Sequence, residues 1–124
     1  MLNALDYAYI GDAVYELYIR KYLISSGLTK VSELTKASLK YVSAKSQRTH
    51  LERLFDKQFL SEKEIELIKY GRNAKGTKSK SADIITYRLA TGLECLIGYL
   101  HYNNQEQRII EIINFIVERG ESIC

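Results

Sequence analysis

Three observations predict an all-α domain. The 124 residues contain no proline, the residue that helix interiors exclude because it lacks an N–H and clashes with the preceding turn. Glycine is confined to seven positions. Over most of the chain apolar residues recur at three- and four-residue intervals, the spacing of one helix face, and little Val or Thr lies outside those stretches to favour strands. At roughly 100 to 200 residues per domain, the length predicts a single domain over residues 1–124.

The first periodic segment runs from about Leu2 to Ile24, with Leu5, Ile10, Ala13, Val14, Leu17 and Tyr18 as its expected inward face. Gly27 is its expected stop. Ser32 then reads as the N-cap of a helix carrying Leu34, Leu39 and Val42, and Ser43 as the cap of the next, with Leu51, Leu54 and Phe55 inward. Ser61 with Glu64 three residues on is a capping box, and it opens a helix with Ile65, Leu67 and Ile68 that ends near Gly71. From about Asp83 a long helix carries Ile84, Leu89, Leu93, Leu96, Ile97 and Leu100 and breaks at Asn103 and Asn104. A last helix, Gln105 to about Glu118, is expected to bury Ile109, Ile112, Ile113 and Ile116, with Gly120 closing it.

Charge is unevenly placed. The chain holds 18 Lys and Arg against 15 Asp and Glu, a net charge of +3. Five of the bases, Lys69, Arg72, Lys75, Lys78 and Lys80, fall in one acid-free stretch, so the rest of the chain is mildly acidic. The segment GRNAKGTKSKS, about residues 71–82, has no periodicity and reads as an exposed, mobile basic loop. No apolar run approaches the ~20 residues of a membrane span, and no basic stretch followed by an apolar signal core opens the chain. Cys95 and Cys124 lack metal-ligand spacing, so free thiols in a reducing cytoplasm are expected.

Two acids stand out. Asp12 lies mid-helix directly after Gly11, a glycine that costs about 1 kcal/mol there relative to alanine. Either Gly11 serves a close helix crossing and Asp12 a solvated face, paired with Arg20 or Lys21, or Asp12 is functional; Glu16, one turn on, reads as structural. Glu94 sits in the most apolar helix, between Gly92 and Gly98, where a carboxylate is expensive unless paired, with Arg88 as the candidate partner, hydrogen-bonded or bound to a cation. Two carboxylates on glycine-marked helices, with a separate basic loop, suit a Mg²⁺-dependent phosphodiesterase, because hard oxygen ligands suit that cation. Solvation alone would equally explain the basic loop, while Arg72 and Asn73 could contact phosphates and 2′-hydroxyls. The ten tyrosines read as core and interface, and His50 and His101 as surface or satisfied histidines.

Tyr9-Ile10-Gly11-Asp12-Ala13-Val14 resembles the signature of the ribonuclease III family, and Leu93-Glu94-Cys95-Leu96-Ile97-Gly98 resembles its distal element. With Val42-Ser43-Ala44-Lys45-Ser46-Gln47 and Gly71-Arg72-Asn73-Ala74-Lys75, the chain resembles the Mini-ribonuclease III branch from Leu2 to about Val117. That resemblance implies a ribonuclease III endonuclease-like helical bundle, acting as a Mg²⁺-dependent homodimer on double-stranded RNA and leaving 5′-phosphate ends. It implies Asp12 and Glu94 as catalytic metal ligands and Arg72, Asn73, Lys75, Lys78 and Lys80 as the duplex grip. It further implies maturation of the precursor 23S ribosomal RNA in the large subunit, with help from a ribosomal protein. Two further family acids correspond to Ala8 and Thr91 here, so most of the Mg²⁺ shell must be water and substrate oxygen. No segment resembling a double-stranded-RNA-binding domain follows, and duplex affinity is expected to come from the catalytic dimer. The competing expectation is a non-catalytic RNA-binding or ribosome-associated module that keeps the fold.

Overall fold

The computed structural model describes residues 1–74 and 83–121, the last three by backbone alone. These residues form six helices and no strand: α1 (Ala4–Ser25), α2 (Val31–Val42), α3 (Ala44–Asp56), α4 (Glu62–Arg72), α5 (Ile84–Tyr102) and α6 (Glu106–Glu121). The all-α expectation holds. Lys75, Lys78, Lys80 and Cys124 lie outside the described residues.

Local chemistry sets most boundaries. Asn3 caps α1 by accepting from the Asp6 N–H at 2.9 Å, and Gly27 turns the chain beyond it at φ +103°, a conformation costly for residues with a Cβ. Ser43 caps α3 through the Ser46 N–H. The Ser61–Glu64 capping box is complete in both directions. Asp83 caps α5 through the Thr86 N–H at 3.0 Å. Two expectations shift. α2 starts at Val31 with Lys30 at the cap, because Lys30 holds the extended backbone while Ser32 is already helical. α6 passes through Gly120 to Glu121, since one glycine in a helix costs too little to end it.

α5 is the axis of the molecule, buried at Ala90 to Leu93, Cys95 to Gly98 and Leu100. Around it lie Tyr15 and Ile19 of α1, Leu51 and Leu54 of α3, Leu67 and Ile68 of α4, and Ile109, Ile112 and Ile116 of α6. The α6 face is the expected one, whereas Phe55 of α3 and Leu39 of α2 are exposed. Arg108 of α6 ties α4 in place: its Nε and Nη2 donate to the two Glu64 oxygens at 2.7 and 2.8 Å, and Nη2 also reaches the Phe59 carbonyl at 2.7 Å. Burial alone would raise the Glu64 pKa, but bonds from Arg108 and Ser61 outweigh it and hold the carboxyl below its ordinary value.

The inward face of α1 differs from expectation. Ala4, Tyr7, Ala8, Gly11, Tyr15, Ile19 and Leu23 are buried, while Ala13 and Leu17 point outward. The cause is a backbone-to-backbone crossing with α5. A methyl on Gly11 would overlap the carbonyl oxygen of Glu94, and one on Gly98 would overlap that of Tyr7. Small residues must fill this face, and their weak hydrophobic signal loses to the larger outward residues. A second glycine crossing joins α4 to α5, where a Cβ on Gly92 would meet the Ile68 carbonyl at 2.7 Å and Gly71 packs on Cys95 and Gly92. Gly71 and Arg72 therefore belong to α4 and not to the expected loop.

Gly98→Ala should destabilise the fold by about 3 kcal/mol or more, because backbone has to move to admit the methyl. Urea denaturation checks this against Gln107→Ala, an exposed position expected to change stability by less than about 1 kcal/mol.

Candidate active site

Gly11 and Gly98 bring the backbones of α1 and α5 together one residue from Asp12 and four from Glu94. Asp12 follows Gly11, and the Glu94 carbonyl itself packs on Gly11. The two side chains therefore emerge along one edge of the crossing, Asp12 exposed and Glu94 half-buried. They are 82 residues apart in sequence and adjacent in space.

The pair is electrostatically unfavourable when both members are ionised. Burial first, and then the neighbouring Asp12 charge, push the Glu94 carboxyl up to about 8; a hydrogen bond from Gln47 opposes this, and one shared with Asp12 adds to it. Gln47 of α3, 1% exposed, donates from Nε2 to Glu94 Oε2 at 3.3 Å. The sequence reading missed this residue: a single glutamine on a helix carries no periodic signal, although it lies in the Val42–Gln47 segment that carried part of the resemblance. Tyr15, fully buried below the pair, donates to the Tyr41 carbonyl at 2.8 Å, and burial and the Glu94 charge raise its pKa.

Neither pairing suggested by the sequence forms. Arg20 pairs with Glu16, the Lys21 ammonium lies over the Tyr18 ring, and Gln47 takes the place foreseen for Arg88. Ala8 and Thr91 serve packing: Ala8 is buried with Ala4, Tyr7 and Cys95, and the buried Thr91 hydroxyl donates to the Tyr87 carbonyl at 3.0 Å. Among the described residues no group of three or more His, Cys, Asp or Glu is placed to hold a metal. Both histidines are engaged elsewhere. His50 lies between the Lys40 carbonyl and Arg53 and stacks on Tyr41, and His101 contacts Glu106. Burial pushes the Cys95 thiol up to about 11, which keeps it unreactive. Arg72 and Asn73 end α4 directly beyond the Gly71 crossing, with Arg72 Nε donating to Asn73 Oδ1 at 3.3 Å. No helix among the described residues is long and apolar enough to cross a membrane.

The family model for the Ribonuclease III domain matches residues 5–105, a span that takes in the glycine crossing and both acids. The chain is 47% identical to Mini-ribonuclease 3 of Enterococcus faecalis, over 98% of this chain and 93% of that one. It is 41% identical to Mini-ribonuclease 3 of Streptococcus pneumoniae, over 98% and 95% respectively. The fold matches the crystal structure of protein FN1578 from Fusobacterium nucleatum with a TM-score of 0.82 and 31% identity, covering 94% of this chain and 93% of that one. The chain belongs to the ribonuclease III family, in its Mini-ribonuclease 3 branch, and is an endoribonuclease for double-stranded RNA. The family is generally dependent on divalent metal and acts as a dimer.

The raised Glu94 pKa fixes a pH dependence for the metal-free protein. The folded carboxyl holds its proton up to about pH 8, against 4.5 ordinarily, so the folded state binds more protons between those values. Stability therefore falls as pH rises through that window, by at most about 1.4 kcal/mol per pH unit. Denaturation in EDTA at about pH 5 and about pH 8 should show a smaller difference for Glu94→Gln than for the wild type. Equal differences would contradict the burial and repulsion described.

Proposed function

We propose that Asp12 and Glu94 together hold the catalytic Mg²⁺ of this endoribonuclease, and that Arg72, Asn73, Lys75, Lys78 and Lys80 grip the duplex. The observation that carries the reading is that the crossing sets the Asp12 and Glu94 carboxyls side by side, where burial and then the Asp12 charge oppose ionisation of Glu94; a hard divalent cation would offset both and prefers those oxygen ligands. With two protein carboxylates, the remaining Mg²⁺ positions fall to water and phosphate oxygen, and metal binding is weak without RNA. A cation held there supplies Lewis-acid stabilisation of the phosphate charge and makes water more acidic. Asp12 and Glu94 orient and charge-balance that site. No side chain is required as nucleophile, since Cys95 is buried and His50 is committed to Lys40 and Arg53.

The unit of activity is a homodimer of single-domain chains. Tyr9, Leu17 and Ile24 of α1 and Val31 and Leu39 of α2 are 55–81% exposed, and a second copy is the occupant that the family's dimeric habit supports for this apolar face. Asp12 adjoins the Tyr9–Ala13–Leu17 row, so each chain's acids would lie beside the interface, one site per RNA strand. Resemblance to the branch supports a cytoplasmic role in maturing precursor 23S ribosomal RNA at its paired ends, with a large-subunit ribosomal protein as helper.

Cleavage of an end-labelled RNA duplex tests the central reading. Wild type with Mg²⁺ should give discrete products, EDTA should stop the reaction, and Asp12→Asn should lower cleavage by at least about 100-fold while duplex affinity stays within about threefold. If each chain makes about five phosphate contacts, log affinity should fall against log salt with a slope on the order of −4 per chain. Duplex binding without any Mg²⁺-dependent product would favour the non-catalytic module. Leu17→Asp should shift the protein to monomer in sedimentation velocity, and a retained dimer would move the interface elsewhere.

A further inference from the structure

Gln47 is the buried polar side chain that touches the carboxylate pair from the protein side. It enters from α3. Its position is set tightly: the Gln47 N–H bonds the Ser43 carbonyl at 2.9 Å, the Ser43 hydroxyl caps the helix, and Ser46 Oγ reaches back to the Leu39 carbonyl at 3.0 Å. The next residue, Arg48, fastens α3 to the start of α5, donating to Thr86 Oγ1 at 2.8 Å and to Asp83 at 3.5 Å. The Gln47 amide therefore sits at the end of a braced helix and donates to one defined oxygen of Glu94.

We propose that Gln47 is a positioning residue for the metal site, fixing the Glu94 carboxylate by engaging Oε2 and leaving Oε1 free for the cation shared with Asp12. The inference rests on the reading of Asp12 and Glu94 as metal ligands. An amide suits the task better than the alternatives of similar length. A lysine there would neutralise Glu94 and compete with the metal for it, a glutamate would add a third repelling charge, and a methionine would leave the half-buried oxygen without a donor. Outer partners of this kind orient ligands and are typically worth 10- to 100-fold in metal affinity.

The test is Mn²⁺ binding, followed by electron paramagnetic resonance on the full-length protein, beside the Mg²⁺ dependence of cleavage and duplex affinity in EDTA. Gln47→Met should raise the Mn²⁺ dissociation constant and the half-saturating Mg²⁺ about tenfold or more, with duplex affinity in EDTA unchanged. Gln47→Lys keeps a donor and can pair with Glu94, so it should remain folded and yet lose Mn²⁺ binding; it provides the answer if the methionine variant does not fold. A folded Gln47→Met or Gln47→Lys protein with wild-type Mn²⁺ affinity would overturn the proposal, whatever its thermal stability. Asp12→Asn separates the two failures. If it abolishes Mn²⁺ binding while the Gln47 variants do not weaken it, only the role of Gln47 fails; if it leaves Mn²⁺ affinity unchanged, the metal-site reading fails first.

Discussion

The backbones of α1 and α5 touch at Gly11 and Gly98, where no side chain larger than hydrogen fits. This contact determines which residues α1 can bury, and Ala4, Ala8 and Gly11 line it because bulkier residues would hold the helices apart. Apolar area lost to such small residues is recovered lower on α1, where Tyr15, Ile19 and Leu23 enter the main core. The second crossing, through Gly71 and Gly92, lets α4 approach α5 equally closely. Together the crossings make α5 a rail on which both the acidic edge and the Arg72–Asn73 end of α4 are mounted. A nuclease needs this kind of fixed spacing between its charged groups and a rigid substrate.

The same contact creates an electrostatic problem. Burial, and then the neighbouring Asp12 charge, keep the half-buried Glu94 protonated near neutral pH. Arg20, two turns on from Asp12, does not relieve it, because it pairs with Glu16. Among the described residues, the neutral Gln47 amide donates to Glu94. A cation bound by both acids, as proposed, would displace the Glu94 proton and recover the stability given up at the site.

Much of this was legible in the sequence because it rests on local rules. The Ser43 and Ser61 caps, the Gly27 turn and the isoleucine face of α6 each follow from neighbouring residues. Gly11 and Gly98 were marked as unusual, and Asp12 and Glu94 drew attention as carboxylates beside them. The phase of α1 was only partly legible: Val14 and Tyr18 do pack against the core, but counting apolar residues also favoured the exposed Leu17 over Ala4 and Ala8. Gln47 was invisible for a related reason: a polar residue becomes functional through what another helix places against it. Gly71 read as a loop glycine because the bases that follow it mask its helical role.

The account stands on one claim, that the glycine crossing assembles Asp12 and Glu94 into a single cation site. Anomalous diffraction at the manganese edge from crystals of the protein grown with Mn²⁺ tests it most directly. The account predicts one ion per chain within about 2.1 Å of an oxygen from each of the two carboxylates. An ion bound by neither acid, or by one with the other turned away, would contradict it.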